Sequence, residues 1–79
     1  RRDMPEETMP EETTQLTING EASSVPDGCS VAALIKRLGL AGKRCAVELN
    51  RNIISSEDWE RTGLAAGDQV EIVNFVGGG

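Results

Sequence analysis

The apolar positions change their period along the chain, and each change marks an element. Leu16 and Ile18 alternate with Thr17 and Asn19, the period of a half-buried strand opening at Gln15. Asn19-Gly20 follows, the strongest two-residue signal for a tight hairpin. Glu21 to Val25 returns as a second, more polar strand, which Pro26-Asp27-Gly28 ends. The period then lengthens. Val31, Leu34, Ile35 and Leu38 lie on one stripe of a helix, with Lys36 and Arg37 on the outer face. Ser30 stands at the N-cap, where its hydroxyl can accept from a free amide of the first turn. Gly39 stands where a glycine closes a helix, and basic residues in the last turn suit the helix dipole.

Beyond the connector Leu40 to Lys43, the period returns to two. Arg44 to Leu49 reads as a third strand with Cys45, Val47 and Leu49 on one face. Asn50-Arg51-Asn52 turns the chain into a short strand at Ile53-Ile54. Ser55 or Ser56 can cap a helical turn through Glu57, Asp58 and Trp59, and Trp59 is expected to anchor the loop. Gly63 and Ala66-Gly67-Asp68 are turn chemistry, and Gln69 to Val76 is the last strand. A hairpin, then a helix, then further strands of one mixed sheet define an α+β roll of the β-grasp, ubiquitin-like kind. It predicts four to five strands and one main helix. The first and last strands should lie parallel at the centre, and Leu16, Ile18, Val70 and Ile72 are apolar enough for that place.

Composition narrows the function. At 79 residues there is one small core and no room for a deep cleft. The absence of histidine removes the commonest general base and metal ligand. The net charge of -5, without a basic run, argues against nucleic acid and anionic membranes and suits a partner with a basic docking surface. Cys29 and Cys45 read as small, reduced, apolar residues, and no metal site is expected. No apolar run approaches the length of a membrane helix and no secretory signal is evident, so the chain reads as cytoplasmic. Residues 1–13 hold a tandem duplication, Met4-Pro5-Glu6-Glu7-Thr8 and Met9-Pro10-Glu11-Glu12-Thr13. Rich in Glu and Pro, they read as a disordered acidic extension, a leader or an expression remnant, ahead of a folded domain over 14–79.

The chemistry is expected at the end of the chain. Gly77-Gly78-Gly79 follows the last strand without a spacer. Glycine is costly to order and adds nothing to a core. A tail without side chains can thread a narrow channel and deliver the carboxylate of Gly79 into another protein's active site. Gly77 and Gly78 are then the leash, with Phe75 and Val76 as docking residues beside it. By alternation, Val73 and Phe75 face away from Val70 and Ile72, either into a second packing layer or out as a patch. Glu48 and Glu71 read as strand-surface charges able to meet a basic partner.

The run Gly67-Asp68-Gln69-Val70-Glu71-Ile72-Val73-Asn74-Phe75-Val76-Gly77-Gly78-Gly79 resembles the end of the ThiS family, the sulfur carriers of thiamine biosynthesis among the ThiS/MoaD-like β-grasp proteins. Asn19-Gly20, Ser30-Val31, Ala46-Val47-Glu48-Leu49-Asn50 and Glu57-Asp58-Trp59 fall in matching order, so the resemblance spans Thr14 to Gly79. Asn74 stands where family members often carry His, and the duplicated extension is not a family feature. The resemblance implies a carrier rather than an enzyme, with no bound cofactor. A ubiquitin-activating-like adenylyltransferase would use ATP to adenylate Gly79, and a persulfide donor would convert it to a thiocarboxylate. Thiazole synthase would then take the sulfur. Carriers for molybdopterin usually reach their glycines through a proline-containing segment, whereas Phe75-Val76 leads straight into Gly77. A carrier for another pathway and a ubiquitin-like modifier joined to lysines through Gly79 remain as alternatives, with a non-covalent interaction domain as a third.

Overall fold

A computed structural model describes residues 12–75. The elements run β1 (Thr13–Ile18), β2 (Glu21–Pro26), α1 (Val31–Arg37), β3 (Cys45–Leu49), β4 (Asn52–Ile54), a 3₁₀ segment (Ser56–Arg61) and β5 (Gln69–Asn74). The five strands form one mixed sheet in the order β2-β1-β5-β3-β4. β1 and β5 are parallel neighbours and every other pairing is antiparallel. This is the expected β-grasp roll. Thr13 belongs to β1, and the amide of Asp27 donates to the carbonyl of Glu12 at 3.0 Å. Folded structure therefore takes in Glu12 and Thr13, which composition assigned to the extension.

Both hairpins close through two residues held at positive φ. Asn19 and Gly20 sit at 51° and 84°, Asn50 and Arg51 at 51° and 73°. The left-handed backbone matches the twist of the flanking strands. The two asparagines then do more than turn the chain. Asn19 accepts from the amide of Ile72 at 2.8 Å and donates to the carbonyl of the same residue at 3.3 Å. The parallel pairing of β1 with β5 has only Thr17↔Gln69 and Ile18↔Val70 in register, and the Asn19 amide side chain prolongs it by one step. Asn50 accepts from the amide of Gln69 at 2.9 Å and donates to Asp68 at 3.0 Å, which fixes the entry to β5.

α1 is closed at both ends by its own sequence. The hydroxyl of Ser30 accepts from the amide of Ala33 at 3.1 Å. At the other end Gly39, at φ 76°, donates to the carbonyl of Lys36, and Leu40 donates to that of Ile35. That pair of bonds is a Schellman closure, and it requires a residue without strain at positive φ. Val31, Leu34 and Ile35 turn inward, against Leu16, Val25, Val47, Val70 and Ile72 of the sheet. Leu38, expected on the same stripe, is exposed, because the helix ends at Arg37 and Leu38 is its cap. Ser55 occupies the cap position of the 3₁₀ segment, but its hydroxyl pairs with Glu57 instead of capping the backbone. Trp59 is the expected anchor. It packs half-buried on the core and donates from its indole nitrogen to the carbonyl of Ile54 at 3.0 Å.

Candidate functional site

The candidate site begins with β5 because its strand leads to the C-terminus. β5 lies in the middle of the sheet, between β1 and β3. Val70 and Ile72 point to the helix side and are buried. Glu71, Val73 and Phe75 alternate onto the other side. Phe75 is 58% exposed and Val73 53% exposed, so no second layer among the described residues covers them. The amide of Phe75 donates to the carbonyl of Arg44 at 2.8 Å. Backbone pairing therefore continues one residue beyond the strand. Val76, Gly77, Gly78 and Gly79, expected as docking residue, leash and reactive terminus, lie outside the described residues.

The register of the sheet defines what surrounds Phe75. Ala46 of β3 pairs with Val73, and Glu48 pairs with Glu71. On the outer strand, Ile53 of β4 pairs with Glu48 and is 77% exposed. Val73, Phe75 and Ile53 thus make an apolar patch on the uncovered face, interrupted by two carboxylates. Periodicity placed Val73 and Phe75 on this face. Ile53 was read only as a strand residue, because a two-residue apolar run carries no period from which to choose a face.

Among the described residues, no three of His, Cys, Asp and Glu gather as a metal-binding group. The cysteines are free. Cys29 is buried in the core and Cys45 is half-buried against it. Burial pushes the Cys29 thiol above its ordinary range, and the nearby Arg37 guanidinium partly offsets that. An open groove beside α1, lined by Pro26, Asp27, Ala33, Lys36, Arg37 and Glu60, carries charges of both signs. No helix among the described residues is long and apolar enough to cross a membrane.

A small β-grasp roll whose central last strand runs out toward the C-terminus, with an open apolar face beside it, defines the class. The comparisons with known proteins then agree on the family. The sequence matches the ThiS family over residues 9–79. The structure is similar to the crystal structure of the thiamine biosynthesis protein ThiS from Geobacter metallireducens, with a TM-score of 0.71 and 35% identity, covering 84% of this chain and 100% of the other. A thiazole synthase from Paramagnetospirillum magneticum is 37% identical over 65 residues, which is 82% of this chain and 20% of that protein. The uncharacterized protein ycf40 of Porphyra purpurea is 31% identical over 64 residues, covering 81% of this chain and 90% of that protein. The chain belongs to the ThiS family. It spans about a fifth of the length of the thiazole synthases it matches.

Proposed function

We propose that this chain is a sulfur carrier for the thiazole ring of thiamine, with the carboxyl of Gly79 as the site that carries the sulfur. One observation carries the reading: the ThiS family match continues through the terminal glycines to residue 79. The thiazole synthases among the relatives favour thiamine over another sulfur-requiring product.

The chemistry follows from the weakness of a carboxylate as an electrophile. An adenylating partner attaches the Gly79 carboxylate to the α-phosphorus of ATP and releases pyrophosphate. The acyl-adenylate now has a good leaving group. The terminal sulfur of a persulfide attacks the acyl carbon, and AMP departs with the bonding pair. The product is an acyl persulfide. A thiol then attacks the donor's sulfur and breaks the S–S bond, forming a disulfide and releasing the thiocarboxylate. Thiazole synthase is the acceptor.

This chain contributes no acid, base or metal to these steps. Its contributions are positional. β5 is paired on both sides, and the Phe75–Arg44 bond holds it one residue further. Val76 to Gly79 then remain, four residues that reach at most about 14 Å. The exposed face with Phe75 and Val73 supplies the docking surface, and Gly77 and Gly78 pass a constriction that side chains would block.

Intact mass spectrometry tests the reading. The chain is incubated with ATP, a persulfide donor and the adenylating enzyme. A mass gain equal to exchange of one oxygen for one sulfur, mapped to Gly79, is the expected result. No gain under conditions that convert another ThiS protein would overturn it, and an isopeptide adduct on lysine would indicate a modifier instead.

A further inference from the structure

β2 is one edge of the sheet and β4 the other. β4 has three residues and β2 six. Exposed edge strands are normally blunted by a lysine, an interior proline or a bulge. β2 has none of these. Its sequence is Glu-Ala-Ser-Ser-Val-Pro with the proline last, and its register with β1 runs unbroken from Thr13↔Pro26 to Ile18↔Glu21. The edge is also open along its backbone. The amides of Thr17 and Asn19 donate to Asp68 and Val70, and the carbonyl of Gln15 accepts from Gly67. The odd positions of β1 thus face β5, and the even ones bond to β2, where they use the backbone groups of Glu21, Ser23 and Val25. The amides and carbonyls of Ala22 and Ser24 point away from the sheet, with no strand beside them among the described residues. A groove runs along this edge on the helix side, lined by Ile18, Val25, Leu34, Arg37 and the exposed Leu38.

We infer that β2 pairs antiparallel with β2 of a second copy of this chain, joining the two sheets edge to edge. The open positions choose the register. Ala22 and Ser24 lie two residues apart, so a two-fold axis through Ser23 sets Ala22 of each copy against Ser24 of the other. Every outward amide and carbonyl of Ala22 and Ser24 is then used. An axis at Ala22 would set Ser24 against the turn at Gly20, and one at Ser24 would set Ala22 against Pro26, which has no amide to donate. The charges agree with the same register. Glu21, exposed, comes to lie opposite Val25 of the second copy, at the groove that Arg37 lines. A carboxylate thus meets a guanidinium at each end of the junction, and no like charges of the two strands face each other. A second copy matches this edge in both hydrogen bonding and charge. β1 separates β2 from β5, so the pairing neither needs nor obstructs the chemistry proposed for Gly79.

Sedimentation of the full chain from micromolar to millimolar concentration tests this. The wild type should pass from monomer to dimer across that range, and hydrogen exchange at the Ala22 and Ser24 amides should slow as it does. Ser24→Pro should stay monomeric with an unchanged circular dichroism spectrum. Proline is tolerated where an edge N–H faces solvent, but it cannot donate across the junction. Glu21→Arg should weaken dimerisation roughly tenfold, and adding Arg37→Glu should restore it. Both side chains are exposed, so these two changes leave the core intact whether or not Ser24→Pro folds. A wild type that remains monomeric at millimolar concentration overturns the pairing. So does a folded Ser24→Pro chain that still dimerises, or a Glu21→Arg chain that associates as tightly as wild type. A dimer whose Ala22 and Ser24 amides exchange as fast as the monomer's places the contact elsewhere and overturns it too.

Discussion

On β5, Val70 and Ile72 are buried under α1, while Glu71, Val73 and Phe75, their immediate neighbours in sequence, face solvent. The same strand therefore serves two surfaces. On the covered side, apolar residues from β1, β2, β3 and β5 meet Val31, Leu34 and Ile35 of the helix. On the open side, apolar residues are present but have no layer among the described residues to pack against. The fold does not require Phe75 or Ile53 to be apolar, and water disfavours both. Packed core and exposed apolar surface are thus separated by the pleat of the strand, one residue apart. Substitutions on one side should change the melting point, and those on the other should change what the protein does.

The sharpest break comes from the tail. One bulky residue added after Gly79 should abolish thiocarboxylation and leave the denaturation midpoint unchanged, since nothing in the core is touched. Next is the covered face. Leu34→Ala should cost about 2–5 kcal/mol of stability in urea denaturation, the range for a fully buried leucine. Phe75→Ala, on the open face, should stay within about 0.5 kcal/mol of wild-type stability. Its thiocarboxylation kcat/KM should nonetheless fall, by roughly tenfold if the ring anchors a partner. A loss of stability as large as that of Leu34→Ala would erase the distinction between the faces.

Asn19→Ala should cost about 1–3 kcal/mol, because it removes both bonds to Ile72 and leaves an amide of a half-buried region unpaired. Hydrogen exchange at Ile72 should accelerate with it. Arg51→Gly should be slightly stabilising, by roughly 1 kcal/mol, since Arg51 is an ordinary L-residue held at φ 73°. The smallest effect is at alkaline pH. The folded-state thiol of Cys29 titrates above its unfolded value, so its contribution is complete below the unfolded value and is lost as pH rises through the folded one. Stability should therefore decline above the ordinary thiol range, and Cys29→Ala should flatten that decline. Cys45, half-buried, should react with iodoacetamide before Cys29.

The folded elements were largely legible because each announces itself locally. Asn19-Gly20, Ser30 and Gly39 act through the backbone of their own neighbours, and all three do in the structure what their chemistry predicts. The failures share a cause. Leu38 fits the apolar stripe, but the helix ends before it can turn inward. Ser55 sits at a cap position, yet its hydroxyl has a carboxylate within reach and takes it. Thr13 looks like part of a polar extension, and it becomes strand because Pro26 lies opposite to it. In each case a neighbouring side chain, a contact distant in sequence or the end of an element overrode a local preference. The candidate site divides in the same way. The exposed place of Phe75 followed from alternation along the terminal strand, and the glycines read from the same pattern lie outside the described residues. Ile53 was not evident, since its place in the patch depends on pairing with Glu48.

The sequence by itself determined the elements, the turn chemistry, the mixed sheet with its central parallel pair and the family, because each rests on period, local backbone preference or a contiguous terminal motif. Only the tertiary structure decided which side of that sheet was left bare, and that Glu48 should face Glu71 across it. Alternation tells which residues share a face. It does not tell whether anything covers that face, because cover comes from elements far along the chain. One short helix spans one side of a five-stranded sheet, and no element among the described residues covers the other.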